Sequence, residues 1–385
     1  QAARRGGAGA ATLLAWGRRS AAEVYEAFLS SPLLLGAGAA LGPGVWGLGP
    51  HAPRSGLAAL GFALRHVAPP ARPVGGGGAF SAALRASLEE AGGLVRTSTR
   101  VTALLVEGER VVGVATESGD ELRAKAVVAA CDPRSALLRW LADPPPAAAS
   151  RLAAWRSWTE PDGCESRLDA VVDRLPGYQR LDRRVVDALA VDPLAATVVL
   201  APSVAEIDLA HRASAKGEIA RSPVMLAGLP SVLDRTLRPD KRGHVLSLQV
   251  LFTPYALKGG WPGSGEPRRW LGEYAERLEP GFLEGVRAWR ATTPDRYEAE
   301  LGLPRGHAAS GVGGPLAALS GQAGELSRYE TPIEGLFLSA AATFPGAGSW
   351  AASGRNAAHV VLERLEGLGR SRRPRRRTAS GASAP

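Results

Sequence analysis

The sequence predicts a mixed α/β protein of two domains, and three observations carry that prediction. One is a run of short alternating strands with tight turns over residues 101–124, followed by an apolar strand and a helix. The second is a strand, a glycine-broken turn and a helix near the end of the chain, in "GLFLSAAATFPGAGSWAASGRNAAHVVLERL", residues 335–365. The third is a change of pattern after "ADPPPAAAS", beyond which long alternating strands mix with helices, as in an antiparallel sheet with helices on one face. A chain of 385 residues with 45% hydrophobic and 22% charged residues has room for two cores.

Taken in order, residues 1–19 read as an irregular end and residues 20–74 as a helical segment capping the second domain, which reads as the substrate region. "SAAEVYEAFLSSPLLLGAGAAL" opens on a Ser that can cap a helix, and "SGLAALGFALRHV" repeats that start with Ser55. After "APPARPVGGGG" a helix carries Phe80, Leu84 and Leu88 four residues apart, one apolar stripe. Gly92 and Gly93 follow as its left-handed cap. Val101–Val106, Val111–Thr116 and Glu121–Ala124 are predicted strands of a meander, joined by "EGER" and "SGDE". Ala126–Cys131 is a buried strand, and Asp132 with Pro133 starts a helix, Asp132 being its N-cap. Residues 146–315 form the second domain, residues 75–145 and 316–366 the first, and residues 367–385 a disordered basic tail.

The formal charge of +9 is concentrated in that tail. Six arginines lie in "RSRRPRRR", so the rest of the chain carries only +3. Nucleic acid is therefore not an expected partner, although the tail could touch an anionic membrane surface. Cys131 and Cys164 are the only cysteines and read as reduced core residues, with no metal-ligand spacing; no GxSxG supplies a nucleophile. No apolar run reaches the length of a membrane span, and a cytoplasmic location is expected. The oligomeric state is not legible.

Residues 336–342 as a strand, the break at "PGAG" and the helix from Ser353 place backbone N–H groups among small residues. Such a helix start can hold an electron-rich part of a cofactor, or can serve close helix–sheet packing alone. The order of elements adds to this. "PVGGGGAFSAALRASLEEAGGLVRTSTRVTALLVEGERVVGVATESGDELRAKAVVAACDPRSALLRWL", then "TPYALKGGW", "GLPRGH" and "TPIEGLFLSAAATFPGAG…SGRNAA" resemble successive landmarks of phytoene-dehydrogenase-like FAD oxidoreductases. That family includes carotenoid desaturases and isomerases and the proteins similar to pyridine nucleotide-disulfide oxidoreductase domain 2, to which the match is closer.

The resemblance implies an incomplete Rossmann-like FAD-binding domain with a β-meander, plus an α+β substrate domain. It implies FAD as cofactor and hydride transfer from a C–H bond of a small apolar substrate to the flavin, or flavin-assisted isomerisation. By residue, it puts Val101 against adenine, Ala340 and Ala341 near the ribityl and pyrophosphate, and Gly346, Gly348, Ser349, Trp350, Ala351 and Ala352 around the loop at the ring's edge. Val101 reads equally as strand core, Trp350 equally as a packing aromatic, and Arg355 as a counter-charge or a solvent-facing residue.

The chain departs from the family in two places. The strand–GxGxxG–helix unit is missing, because "GGAGAA" has no preceding strand and "LLLGAGAALG" follows a helical stretch. Residue 1 is Gln and the one Met is Met225, so the chain is expected to begin after that unit. Ala340 and Ala351 stand where the family usually has Gly, and Phe344 where it often has His; a methyl limits how near a ligand can come. No catalytic acid or base stands out. Two other readings stay open: a non-catalytic fragment that binds no flavin, and a basic-tailed module for anionic surfaces.

Overall fold

The computed structural model describes residues 2–67, 71–159, 161–189, 192–201, 203–307, 324–346, 348 and 351–371. The chain divides into two compact units, residues 1–95 with 161–308, and residues 96–160 with 309–385.

The first unit is built on a five-stranded antiparallel sheet. Its strands are β5 (Glu165–Val172), β6 (Val198–Leu200), β7 (Val224–Gly228), β8 (His244–Leu251) and β9 (Val286–Thr292), in the order β6-β7-β8-β5-β9. Alternation decides which side chains go in. Leu168, Ala170 and Val172 of β5 face Leu246, Leu248 and Val250 of β8 inside one core, while Arg167 and Asp169 point to the other face. Helix α10 (Glu266–Ala275) covers the core with Trp270, Leu271 and Tyr274. Each fully buried aliphatic side chain here contributes roughly 1.5–3 kcal/mol.

Part of the opposite face is covered by α3 (Pro32–Leu41) and α8 (Val204–Ser214), whose Ala39, Ala40, Ile207 and Ala210 pack on Val224, Leu226, Leu251 and Phe252. The Ser20 cap is realised: its hydroxyl accepts from the Glu23 N–H, and the Glu23 carboxylate accepts from the Ser20 N–H at 2.7 Å, opening α2 (Ala21–Glu26). Gly38 lies against the Tyr25 ring, where a Cβ would sit 3.3 Å from it. The glycines of "LLLGAGAALG" thus serve helix packing.

The second unit holds the meander β1 (Val101–Glu107), β2 (Arg110–Thr116) and β3 (Glu121–Arg123), and a parallel pair, β4 (Val127–Ala129) with β10 (Leu336–Leu338). Its core gathers Leu104, Val111, Leu137, Leu152, Trp155, Ile333, Leu336 and Leu338. Glu325, 3% exposed, is held by the Trp155 indole N–H and lies 3.3 Å from Arg151 Nε. The Val127 N–H donates to the Gly335 carbonyl and the Ser339 N–H to that of Ala129, so these residues turn their backbone to β10. Val128 turns the other way with its side chain 43% exposed, and among the described residues no strand pairs on that edge of β4.

Four expectations need correction. Residues 2–16 are not irregular but form helix α1, because the Ala, Leu and Arg of that stretch favour helix more than its glycines oppose it. The unit boundary falls at 160/161 instead of 145/146, since α6 (Ala149–Ser157) buries Leu152 and Trp155 in the second unit's core. Helix α5 (Gly76–Glu90) groups with the first unit, tied by the Gly75 N–H to the Asp234 carboxylate at 2.6 Å. Its stripe does not pack: Phe80, Leu84 and Leu88 are 37%, 52% and 48% exposed. Finally, the last strand ends at Leu338, where the chain turns on itself.

Candidate cofactor-binding site

The parallel pair ends in two loops on the same side, at Ala130–Asp132 and at Ser339. Sheets of this kind open their binding crevices at the carboxyl ends of the strands. Asp132 caps the turn that follows β4, its carboxylate accepting from the Ser135 N–H at 2.9 Å. Burial pushes the Cys131 thiol up to about 11, and that of Cys164 up to about 12, so both remain thiols. Both were expected as reduced residues.

After β10 the chain forms a tight hydroxyl-braced loop and enters helix α13 (Ala352–Ser371); the short helix α12 (Gly324–Arg328) packs behind it. The Ala340 N–H donates to Thr343 Oγ1 and Ser353 Oγ, both at 3.2 Å, while the Thr343 hydroxyl donates to the Ala340 carbonyl at 2.9 Å. Thr343 and Ser353 also touch through their hydroxyls. Behind the loop the Tyr329 hydroxyl donates to the Phe344 carbonyl at 2.6 Å and accepts from the Asn356 amide at 2.8 Å.

These contacts place the expected residues. Ala340 and Ala341 lie half-buried in the first turn of the loop, Gly346 (φ 105°) and Gly348 (φ 154°) in its return, and Ala351 and Ala352 at the entry to α13. Ser349 and Trp350 lie outside the described residues. Val101 stands apart, opening β1 opposite Thr116 in the meander, with no pairing to the loop. Arg355 is exposed, as its solvent-facing reading requires. The sequence reading missed Thr343, Ser353, Tyr329 and Asn356. The signal for Ser353 was its place at a helix start, whereas nothing local marks Tyr329 as a brace for residues 15 and 27 positions away.

Residues 21–162 match the model of the flavin containing amine oxidoreductase family. A pyridine nucleotide-disulfide oxidoreductase domain-containing protein 2 from Rattus norvegicus is 28% identical over 305 residues, 76% of this chain and 51% of the relative. Over these stretches the chain is similar to flavin-dependent oxidoreductases. A phytoene desaturase (neurosporene-forming) from Cereibacter sphaeroides is 27% identical over 277 residues, 71% of this chain and 50% of that protein. The chain thus spans about half the length of the relatives it matches. A redesigned putrescine oxidase shares the fold, with a TM-score of 0.50 at 14% identity over 92% of this chain and 68% of its own.

The match to the flavin containing family indicates FAD as cofactor, and the loop fits one part of it. Ala351 has φ 53°, the left-handed region that glycine favours, so the backbone keeps a glycine's path although the side chain is Ala. Gly348 and Ala351 are exposed and Gly354 has open space around it, so a flat ring edge could approach the start of α13. The Ala340 N–H is different, because it is already spent on Thr343 and Ser353. Among the described residues no glycine-rich strand–helix turn stands beside β4 to hold a pyrophosphate.

A cavity of about 510 Å³ lies at the other, amino end of the parallel pair, lined by Arg110, Lys125, Glu330, Ile333, Glu334 and Arg364 among others. Its charges are largely matched internally, Arg110 with Glu334 and Arg364 with Glu330. It lies at the wrong end of the strands for the loop that receives the ring. No group of three or more metal-ligating side chains occurs among the described residues, and no helix among them is long and apolar enough to cross a membrane.

Proposed function

We propose that this chain is the part of an FAD-dependent oxidoreductase that carries the substrate sheet and the loop against the flavin ring. The reaction is hydride transfer from a C–H bond of a largely apolar small molecule, with flavin-assisted isomerisation as its redox-neutral variant. FAD, when bound, supplies the hydride acceptor. The chain's own residues position and exclude water: Gly346, Gly348, Ala351 and Ala352 present a small-residue surface, and Thr343 with Ser353 holds it rigid. The resemblance adds Val101 for adenine, Ala341 near the ribityl and pyrophosphate, and Ser349 and Trp350 at the ring's edge. The observation that carries the reading is the left-handed Ala351 at the entry to α13, reached directly from a parallel strand pair.

The test is the visible absorption spectrum of the purified chain after addition of FAD and gel filtration. Near-stoichiometric flavin supports the reading. A folded, colourless protein supports the competing one, a non-catalytic chain, which the edge of β4 left unpaired among the described residues favours. The basic tail's contact with an anionic surface remains a separate proposal, tested by co-sedimentation with anionic vesicles across a salt series.

A further inference from the structure

The loop after β10 and the start of α13 are joined through one buried side chain, Tyr329, 4% exposed. Its phenol is spent on the two segments that flank the loop. It donates to the Phe344 carbonyl at 2.6 Å and accepts from the Asn356 side-chain amide at 2.8 Å, one turn into α13. Its backbone is spent on two more. The N–H donates to the Glu325 carbonyl of α12 at 2.8 Å, and the carbonyl accepts from the N–H of Leu338, the last residue of β10, at 2.8 Å. With φ 64° Tyr329 stands in the left-handed region, which a residue other than glycine keeps only where its surroundings hold it.

The next residue repeats the connection further along α13. Glu330 accepts from Arg364 Nε and from a terminal nitrogen of the same guanidinium, the latter at 3.1 Å. Asn356 and Arg364 are eight residues apart and share a face of the helix, so residues 329 and 330 hold α13 at two points along its axis. The outer point is the weaker one, because Arg364 is 66% exposed and a solvated ion pair contributes little. What is held matters. The free N–H groups and the positive end of a helix dipole act only within the first turn, so a small displacement of α13 changes what Ala351 and Ala352 present to a ring edge. Packing alone does not call for the Tyr329 hydroxyl, since Phe would fill the same space.

We propose that Tyr329 and Asn356 are positioning residues for the flavin, setting the start of α13 against the loop after β10. This rests on the oxidoreductase reading. Neither residue is placed against the cofactor; both act through the helix start and the Phe344 carbonyl. Removing the phenol hydroxyl takes this partner from the Phe344 carbonyl and the Asn356 amide together, and the two sides of the loop lose their common anchor.

The test is titration of the full chain with FAD, read by flavin fluorescence, with the absorption spectrum and reduction potential of each complex and a urea unfolding curve of each variant. Tyr329→Phe should weaken FAD binding by about tenfold, as expected when two partly buried polar groups lose a partner, and Asn356→Ala by about threefold. The double variant should bind no more weakly than Tyr329→Phe, since both substitutions break one link. Tyr329→Phe should also shift the flavin absorption bands and make the potential more negative, because the displaced helix end supports negative charge on the ring less. Ile333→Val, in the same core and outside the loop, is the control: it should lower stability and leave affinity and spectrum unchanged. A folded Tyr329→Phe protein with unchanged affinity overturns the proposal. So does a loss of affinity with bands and potential unmoved, or one that Ile333→Val reproduces, because either assigns Tyr329 to stability alone. If Tyr329→Phe fails to fold, Asn356→Ala decides, and unchanged affinity overturns the proposal. A wild-type chain that binds no FAD sinks the oxidoreductase reading and this proposal with it, whereas a yellow wild type whose variants match it sinks this proposal alone.

Discussion

The five-stranded sheet and the parallel pair β4/β10 are both built from short apolar strands, yet they are completed to different degrees. The large sheet buries Leu168, Leu246, Leu248 and Val250 completely beneath Trp270 and Tyr274 of α10. Among the described residues the parallel pair has one edge of β4 unpaired with Val128 exposed, and α5 likewise bears an exposed stripe of Phe80, Leu84 and Leu88. An antiparallel sheet completes itself from hairpins and neighbouring helices, whereas a parallel strand needs a crossover partner from elsewhere in the chain. The unit of the five-stranded sheet is therefore the more completely packed, and the loop after β10 is the place where added groups would act.

The largest expected effect is in the complete sheet. Leu248→Ala, at a side chain with 0% exposure, should cost about 2–5 kcal/mol in urea unfolding, because the packed neighbours cannot collapse into the void. A loss below about 1 kcal/mol would erase the contrast between the two regions. Next is Ala351→Gly in the loop. Glycine takes φ 53° without the Cβ penalty, so the substitution should stabilise by about 1 kcal/mol and increase flavin retention after gel filtration. Destabilisation instead would show that the methyl packs usefully.

A third prediction uses pH. Burial raises the pKa of Glu165 in the folded state, with the Gln249 and Arg167 contributions opposing, so the native protein holds that proton more tightly than the unfolded chain. Stability from this group is present below the ordinary carboxylate pKa and is lost as pH rises through the raised one. Glu165→Gln should flatten that part of the stability profile in chemical denaturation at a series of pH values; an unchanged slope would assign it to other carboxylates. The smallest effect belongs to α5. Leu84→Glu, at 52% exposure, should change stability by no more than about 0.5 kcal/mol. A cost above about 2 kcal/mol would mean that something covers the stripe in solution.

Much of this architecture was legible from local pattern. The Ser20 cap, the meander, the alternation in β5 and β8 and the helix after the "PGAG" turn all follow from spacing within a dozen residues. Strand β9 was not legible, since Val286–Thr292 leaves Arg287, Ala288, Trp289 and Arg290 all exposed and shows no clean alternation. Nor was the hydroxyl brace of the loop, which joins Thr343 to Ser353 and Tyr329 to Phe344 only after the chain has turned back.

By itself the sequence determined most of the elements, the order of their landmarks and the resemblance to a family, because these rest on residue type and short spacing. Tertiary structure alone decided the unit boundary beyond α6, the glycine-like path at Ala351 and the brace of Tyr329 on Phe344 and Asn356. Each of these depends on contacts between segments far apart in the chain, and periodicity carries no record of which distant face a strand will meet.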